Sequence, residues 1–280
     1  MQTQNKRGAP EALMNKGMTM TNPSFEFRRA ITRKPAPSIV DGLRAEDIGR
    51  PDLDQMLRDH AAYVAALKGT GAEVVELPAL EAFPDAVFVE DTALCLPQGA
   101  VLMRPGAPSR QGEVAQMAPA LAAFYGDTLR EINAPGCIEG GDILVTGREV
   151  LVGLSARTNP EGVAQLAKIV GEWGHTLRVV DTPEGVLHFK TDCGLLDGET
   201  ILATGRLAAS GCFDGYKVLL VPEGEEAAAN CIRFNGLVIM AAGFERTAEL
   251  LTQAGFDVVQ INNSECAKLD GGMSCLSLRF

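Results

Sequence analysis

Gly255-Phe256-Asp257-Val258-Val259-Gln260-Ile261-Asn262 decides the fold, because the chain writes the same phrase five times. A glycine opens it, a short run rich in β-branched residues or leucine follows, and a polar or proline-bearing loop ends it, which is the pattern of a short strand. The other copies open at Gly71, Gly126, Gly174 and Gly215, at spacings of 40 to 55 residues. Self-similarity at such a period signals a repeat architecture. Upstream of Gly255, residues 245–254 place Ala248, Leu250 and Leu251 on one helical face, and the glycine then stands where helices end.

The other units follow the same order. Residues 52–68 gather Leu53, Met56, Leu57, Ala61, Val64 and Leu67 on one face. Residues 160–173 follow Asn159-Pro160, a capping residue with proline at the first helical position. Residues 113–125 repeat the helical pattern less cleanly. The fourth helix is expected near 223–229, after its strand, which makes that repeat imperfect. After each glycine-led strand comes an apparent hairpin: 93–96 with 100–103, 143–145 with 150–153, 193–196 with 200–203, and 231–234 with 237–240. Gly99, Gly147, Gly198 and Gly236 suit the turns. The fifth, 273–278, has a single arm, and residues 25–31 form the one strand candidate without a mate. Pairing 25–31 with 274–279 closes a ring. The expected fold is therefore α/β: a five-bladed propeller of β-β-α-β repeats around a pseudo-fivefold axis, sealed by its N- and C-terminal strands.

Loops at equivalent points of a ring converge on its axis. Glu90-Asp91, Glu139-Gly140-Gly141-Asp142, His188 with Asp192, Asn230 and Asp270 each stand just before a hairpin arm, and Cys275 enters the last arm. A thiol, an imidazole and an orienting carboxylate form a recurring nucleophilic set. Taken singly, Cys275 reads as a small buried hydrophobe, His188 as a core histidine and Glu139 as part of a turn. Their matching positions in the repeat favour chemistry. Arg110 and Arg157 each follow the hairpin of their unit, and a planar guanidinium suits a carboxylate ligand as well as a helix-start surface position.

Composition narrows the classes. Thirty-six acidic residues against 25 basic give a net charge of −11, which disfavours nucleic acid as a partner. No apolar run is long enough to cross a bilayer, so no membrane partner is expected. Seven cysteines include no C-x-x-C pair, and the nearest two, Cys266 and Cys275, are nine apart. That spacing carries no zinc signature, and the odd count and the chain length point to a reducing cytoplasm rather than a disulfide framework. The three histidines, His60, His175 and His188, form no metal motif, so no metal is expected. Dinucleotide, P-loop and serine-hydrolase motifs are absent as well. Residues 1–24 are polar, lack the apolar stretch of a secretory signal, and are expected to be a disordered extension before a single domain at 25–280.

Several motifs in order carry a resemblance that spans about residues 25–280: Ser38-Ile39-Val40-Asp41-Gly42-Leu43, Phe83-Pro84-Asp85, Phe88-Val89-Glu90-Asp91, Arg104-Pro105-Gly106, Ser155-Ala156-Arg157-Thr158-Asn159, Ala229-Asn230-Cys231, and the run from Asp270 to Phe280. With these the chain resembles the dimethylarginine dimethylaminohydrolases of the guanidine-modifying (pentein) superfamily. The resemblance implies Cys275 as nucleophile, His188 as general acid and base, and Glu139 as its orienting carboxylate. It implies Asp85 for a substrate α-amino group, Arg110 and Arg157 for its α-carboxylate, Glu90 and Asp91 for the guanidinium, and backbone groups of Leu43 and Leu269. Residues 41–43 resemble a mobile lid. The implied reaction takes a methylated arginine to citrulline through a covalent thiouronium and requires no cofactor. Arginine deiminase, an amidinotransferase and a non-catalytic amino-acid-binding protein are the alternatives, and a homodimer is the quaternary state to test.

Overall fold

The computed structural model describes residues 22–183 and 185–280. Its strands, in chain order, are β1 (Arg29–Arg33), β2 (Glu73–Leu77), β3 (Ala93–Leu96), β4 (Gly99–Leu102), β5 (Leu129–Glu131), β6 (Ile143–Val145), β7 (Val150–Leu154) and β8 (Leu177–Asp181). They continue with β9 (Cys193–Leu195), β10 (Thr200–Ala203), β11 (Lys217–Leu220), β12 (Ile232–Phe234), β13 (Leu237–Ala241), β14 (Asp257–Ile261) and β15 (Leu278–Arg279). They form five three-stranded sheets. In each sheet the middle strand runs antiparallel to the first and parallel to the third. A helix makes each parallel crossover: α1 (Leu53–Gly69), α2 (Gln111–Tyr125), α3 (Pro160–Glu172), α4 (Gly205–Ala208) and α5 (Glu245–Gln253).

The glycines that open the five phrases are where the chain turns out of its helices or connecting turns. Gly71, Gly126, Gly174, Gly215 and Gly255 all have positive φ, a conformation that a side chain disfavours. Asn159 caps α3 as its sequence suggests, accepting from Gly162 N. The fourth crossover corrects the sequence reading. Its helix is the single turn α4, placed between β10 and β11 as in the other blades, while Glu226–Ala229 is a 3₁₀ turn. One turn is too short to show a 3.6-residue period, so the apparent irregularity came from missing it.

Closure is seen in both pairing and packing. β1 pairs antiparallel with β15, Ala30 opposite Arg279 and Ile31 opposite Leu278, and parallel with β2. The pairing is shorter than 25–31 with 274–279: the first strand starts at Arg29, and Ser274–Leu276 is a 3₁₀ turn. Five apolar cores lie between neighbouring blades and complete the circuit. Ile31 and Leu278 of the closing blade pack with Ala93 and Ala100 of the next, Val101 with Val152, Leu151 with Ile201, Leu202 with Val238, and Ile239 with Ala30. Burial of this kind contributes about 25 cal/mol per Å² of apolar surface, so the blades stabilise one another around the ring.

Residues 22–24, expected in the extension, instead belong to the described fold. Asn22 O accepts from Phe25 N at 3.3 Å and Glu26 N at 2.8 Å. The remainder of the extension, 1–21, lies outside the described residues. No helix among the described residues is long and apolar enough to cross a membrane.

Candidate active site

A 3₁₀ turn stands before the first strand of every blade: Val89–Thr92, Gly140–Asp142, Phe189–Thr191, Glu226–Ala229 and Ser274–Leu276. These turns, not the strands, carry the polar residues to the axis. Cys275 therefore sits in a turn ahead of β15, a correction to its expected place on the strand. The turns approach so closely that glycine is required between them. A Cβ on Gly141 would stand 2.7 Å from His188 Cγ and Nδ1, and one on Gly272 would meet the Asn230 amide at 2.2 Å.

One cavity of about 170 Å³ collects Cys275, His188, Asp91, Asp85, Arg110, Arg157, Leu43 and Leu269. Arg44, Ala45, Phe88, Leu187, Asp270 and Gly271 complete its walls. Glu139 lies behind His188, fully buried, with Oε2 2.6 Å from Nε2. Its other oxygen accepts from Ala107 N at 3.3 Å and faces Arg157 Nη1 at 3.6 Å. Burial disfavours the imidazolium, but Asp91, Glu139 and Asp142 outweigh it and raise His188 to about 9. Asp91 moves the other way. Burial opposes its charge, yet His188, Arg110 and Gly141 N–H hold the carboxyl down at about 2. Burial, with Glu90 and Asp91 nearby, pushes the Cys275 thiol up to about 12. In this one cavity the thiol is thus pushed toward its neutral form and the imidazole toward its charged form.

Asp85 is buried and accepts from Leu43 N at 2.9 Å. Burial pushes its carboxyl up, against Arg110, the Leu43 N–H and Arg157. Residues 43–45 are also tied across the mouth by Ala45 N donating to Asp270 Oδ2 at 2.6 Å. Arg157 keeps its side chain partly open, 22% exposed. Arg110 does not: Nε and Nη2 donate to Glu113 at 3.1 and 2.9 Å, Nη1 to Asp91 at 2.6 Å, and Nη2 to Phe88 O at 2.9 Å. That leaves one Nη1 hydrogen for a ligand.

Glu90 is placed apart from its neighbour Asp91. Its oxygens accept from Lys190 Nζ at 2.6 Å, Arg279 Nη2 at 2.6 Å and Ser274 Oγ at 2.7 Å, and it faces a second cavity on the axis rather than this one. Sequence reading missed Glu113 and gave Phe88 and Leu187 no role of their own. For Glu113 the available signal was its i,i+3 spacing from Arg110. Asp91, Glu139 and His188 each bring a donor atom within 4.8 Å of the others, a spacing that could hold a metal ion. A protonated imidazole offers no lone pair, however, and Arg110 and Arg157 already face the two carboxylates.

This geometry agrees with three sets of similarities. The arginine deiminase family model matches residues 79–183. The chain is 42% identical over 254 residues to the N(G),N(G)-dimethylarginine dimethylaminohydrolase of Pseudomonas aeruginosa, covering 91% of this chain and 100% of the relative. It is 34% identical to the Streptomyces coelicolor enzyme of the same name, covering 90% of this chain and 97% of that one. A solved P. aeruginosa structure, a cysteine-to-serine variant complexed with citrulline, matches with a TM-score of 0.89 at 41% identity, over 91% of this chain and all of that one. The chain belongs to the dimethylarginine dimethylaminohydrolase family.

Proposed function

We propose that the protein hydrolyses Nω-methylated arginines, asymmetric dimethylarginine and monomethylarginine, to citrulline and dimethylamine or methylamine. The observation that carries this is the single cavity in which Cys275, His188 and Asp91 meet Asp85 and Arg157. A carboxylate suited to a guanidinium stands beside the thiol, and a carboxylate and an arginine suited to an amino acid's two charges stand further along.

The steps follow from the residue types. The substrate cation takes the place of solvent beside Asp91, and its positive charge favours the thiolate of Cys275, whose proton passes to solvent because His188 already carries one. The sulfur attacks the guanidinium carbon and forms a C–S bond. His188, already protonated, gives its proton to the methylated nitrogen as the C–N bond breaks and the amine leaves. A thiouronium remains on Cys275. His188, now neutral, removes a proton from water, whose oxygen adds to the same carbon. Expulsion of the sulfur gives citrulline, and the proton returns to the enzyme. Glu139 holds the imidazole in register throughout, in the manner of a triad carboxylate. Arg157 provides the open fork for the α-carboxylate, Asp85 accepts the α-amino group, and Arg110 gives Asp91 its position and one remaining N–H.

The test is direct. Incubation with asymmetric dimethylarginine should yield equal amounts of citrulline and dimethylamine by mass spectrometry, and Cys275→Ser should yield neither while keeping its fold. Full citrulline release by the serine variant would sink the mechanism. The arginine deiminase match over residues 79–183 favours one second reading, hydrolysis of unmethylated arginine. The same assay with free arginine and ammonia detection separates the two. We further propose a single catalytic domain that takes in residues 22–24 together with 25–280, a cytoplasmic location consistent with seven free thiols, and a homodimer, to be checked by sedimentation.

A further inference from the structure

Arg279 follows Cys275 by four positions, and its side chain turns back beneath the nucleophile's turn. Nη1 donates to Ser274 O at 2.9 Å, Ser277 O at 2.8 Å and Ser277 Oγ at 3.1 Å. Nη2 donates to Glu90 Oε1 at 2.6 Å. Ser274 and Ser277 bracket Cys275, so one planar group grips the backbone on both sides of the thiol. Two further contacts brace the same turn. Tyr63 Oη donates to Met273 O at 3.0 Å and meets Ser277 Oγ at 2.7 Å, and Ser274 Oγ donates to Glu90 Oε2 at 2.7 Å.

We propose that Arg279 is the positioning residue of the nucleophile, a fork that fixes the Ser274–Leu276 turn and anchors it to Glu90 across the axis. The proposal rests on the reading of Cys275 as nucleophile. A 3₁₀ turn has few internal hydrogen bonds of its own, so its shape depends on what holds its carbonyls. Only a guanidinium can present two nitrogens in a fixed plane to two carbonyls and a carboxylate together; an ammonium is a point donor. The bland alternative is that Arg279 merely completes β15. Backbone pairing with β1 does that whatever the side chain is. Arg279 and Lys190 also set two positive charges against Glu90, partly offsetting the push that Glu90 gives the Cys275 thiol toward its neutral form.

Arg279→Lys keeps the charge and loses the fork, whereas Arg279→Gln loses both. In the full-length chain, both should keep KM for asymmetric dimethylarginine within about twofold and lose about tenfold or more in kcat, since a displaced reacting atom costs rate rather than affinity. The pH midpoint for alkylation of Cys275 by iodoacetamide should stay in place for lysine and move upward for glutamine. Circular dichroism and thermal melting establish that each variant folds, and either one alone suffices for the kinetic test. A folded variant with kcat within twofold of wild type, or a loss carried wholly by KM, overturns the proposal. Wild-type protein that forms no citrulline would instead defeat the functional reading, with the alkylation profiles still reporting on the fork.

Discussion

Replacing Glu139 by glutamine keeps the shape of the buried side chain and removes its charge from His188. In the wild type the 2.6 Å contact to Nε2 is one of the interactions that raise the imidazole from its ordinary 6.5 to about 9 in spite of burial. A hydrogen bond to a charged group contributes roughly 1.5–3 kcal/mol. At about 1.4 kcal/mol per pKa unit, its loss should lower His188 by roughly one to two units. Asp91 and Asp142 remain, so the value should settle between the wild-type and unperturbed ones. Protein labelled with ¹⁵N in its three histidines gives the titration directly by NMR, with His188→Asn assigning the resonance. Stability supplies a second readout. The folded pKa of His188 is raised, so its contribution is fully present below about 6.5 and is lost as pH rises through about 9, an effect on the order of 3 kcal/mol for the wild type. Glu139→Gln should flatten that slope in denaturant titrations. A His188 midpoint within about 0.3 units of wild type would refute the assignment of Glu139 as the group that holds its proton.

Two other substitutions probe the scaffold around the site. Glu113→Ala leaves the Arg110 guanidinium buried without its two-point partner; breaking such a pair costs about 3–5 kcal/mol, a fall in melting midpoint of roughly 6–15 °C, and an unchanged midpoint would mean Asp91 alone suffices. Gly141→Ala drives a methyl to 2.7 Å from the His188 ring; kcat should fall on the order of 100-fold with little change in the melting midpoint, and activity within about threefold of wild type would show that the ring can give way.

Much of the fold was legible because strands and long helices have periods. Gly255–Ile261 and its relatives recur at intervals of 40 to 55 residues, α1 and α3 carry apolar stripes, and Asn159 announces a helix start. What stayed hidden has no period. The turn α4 and the 3₁₀ turns are too short for one, which is why the fourth crossover was misplaced and Cys275 was set on a strand. The site was legible as a set of residue types at matching points of a repeat, with the family resemblance assigning their roles. Side-chain direction inside a turn was not: Glu90 and Asp91 are consecutive, yet one faces the Cys275 cavity and the other faces Lys190 and Arg279. Glu113 at a helix start and Arg279 beside the chain end look like ordinary surface charges until the structure shows what they grip.

The composite blade bears on how the site comes into being. Joining β1 to β2 closes a loop from Ala30 to Val74, and joining it to β15 closes one from Ala30 to Arg279. Because closure entropy grows only with the logarithm of length, the longer loop costs about 1.5 kcal/mol more than the shorter. The kinetic burden is larger, since so distant a contact forms late. The other four blades can assemble from contiguous sequence, while the turn bearing Cys275 is seated only when β15 finds β1. Folding intermediates with an open ring can therefore hold most of the native sheet and still have no nucleophile in place, so recovered activity after dilution from denaturant reports ring closure rather than secondary structure.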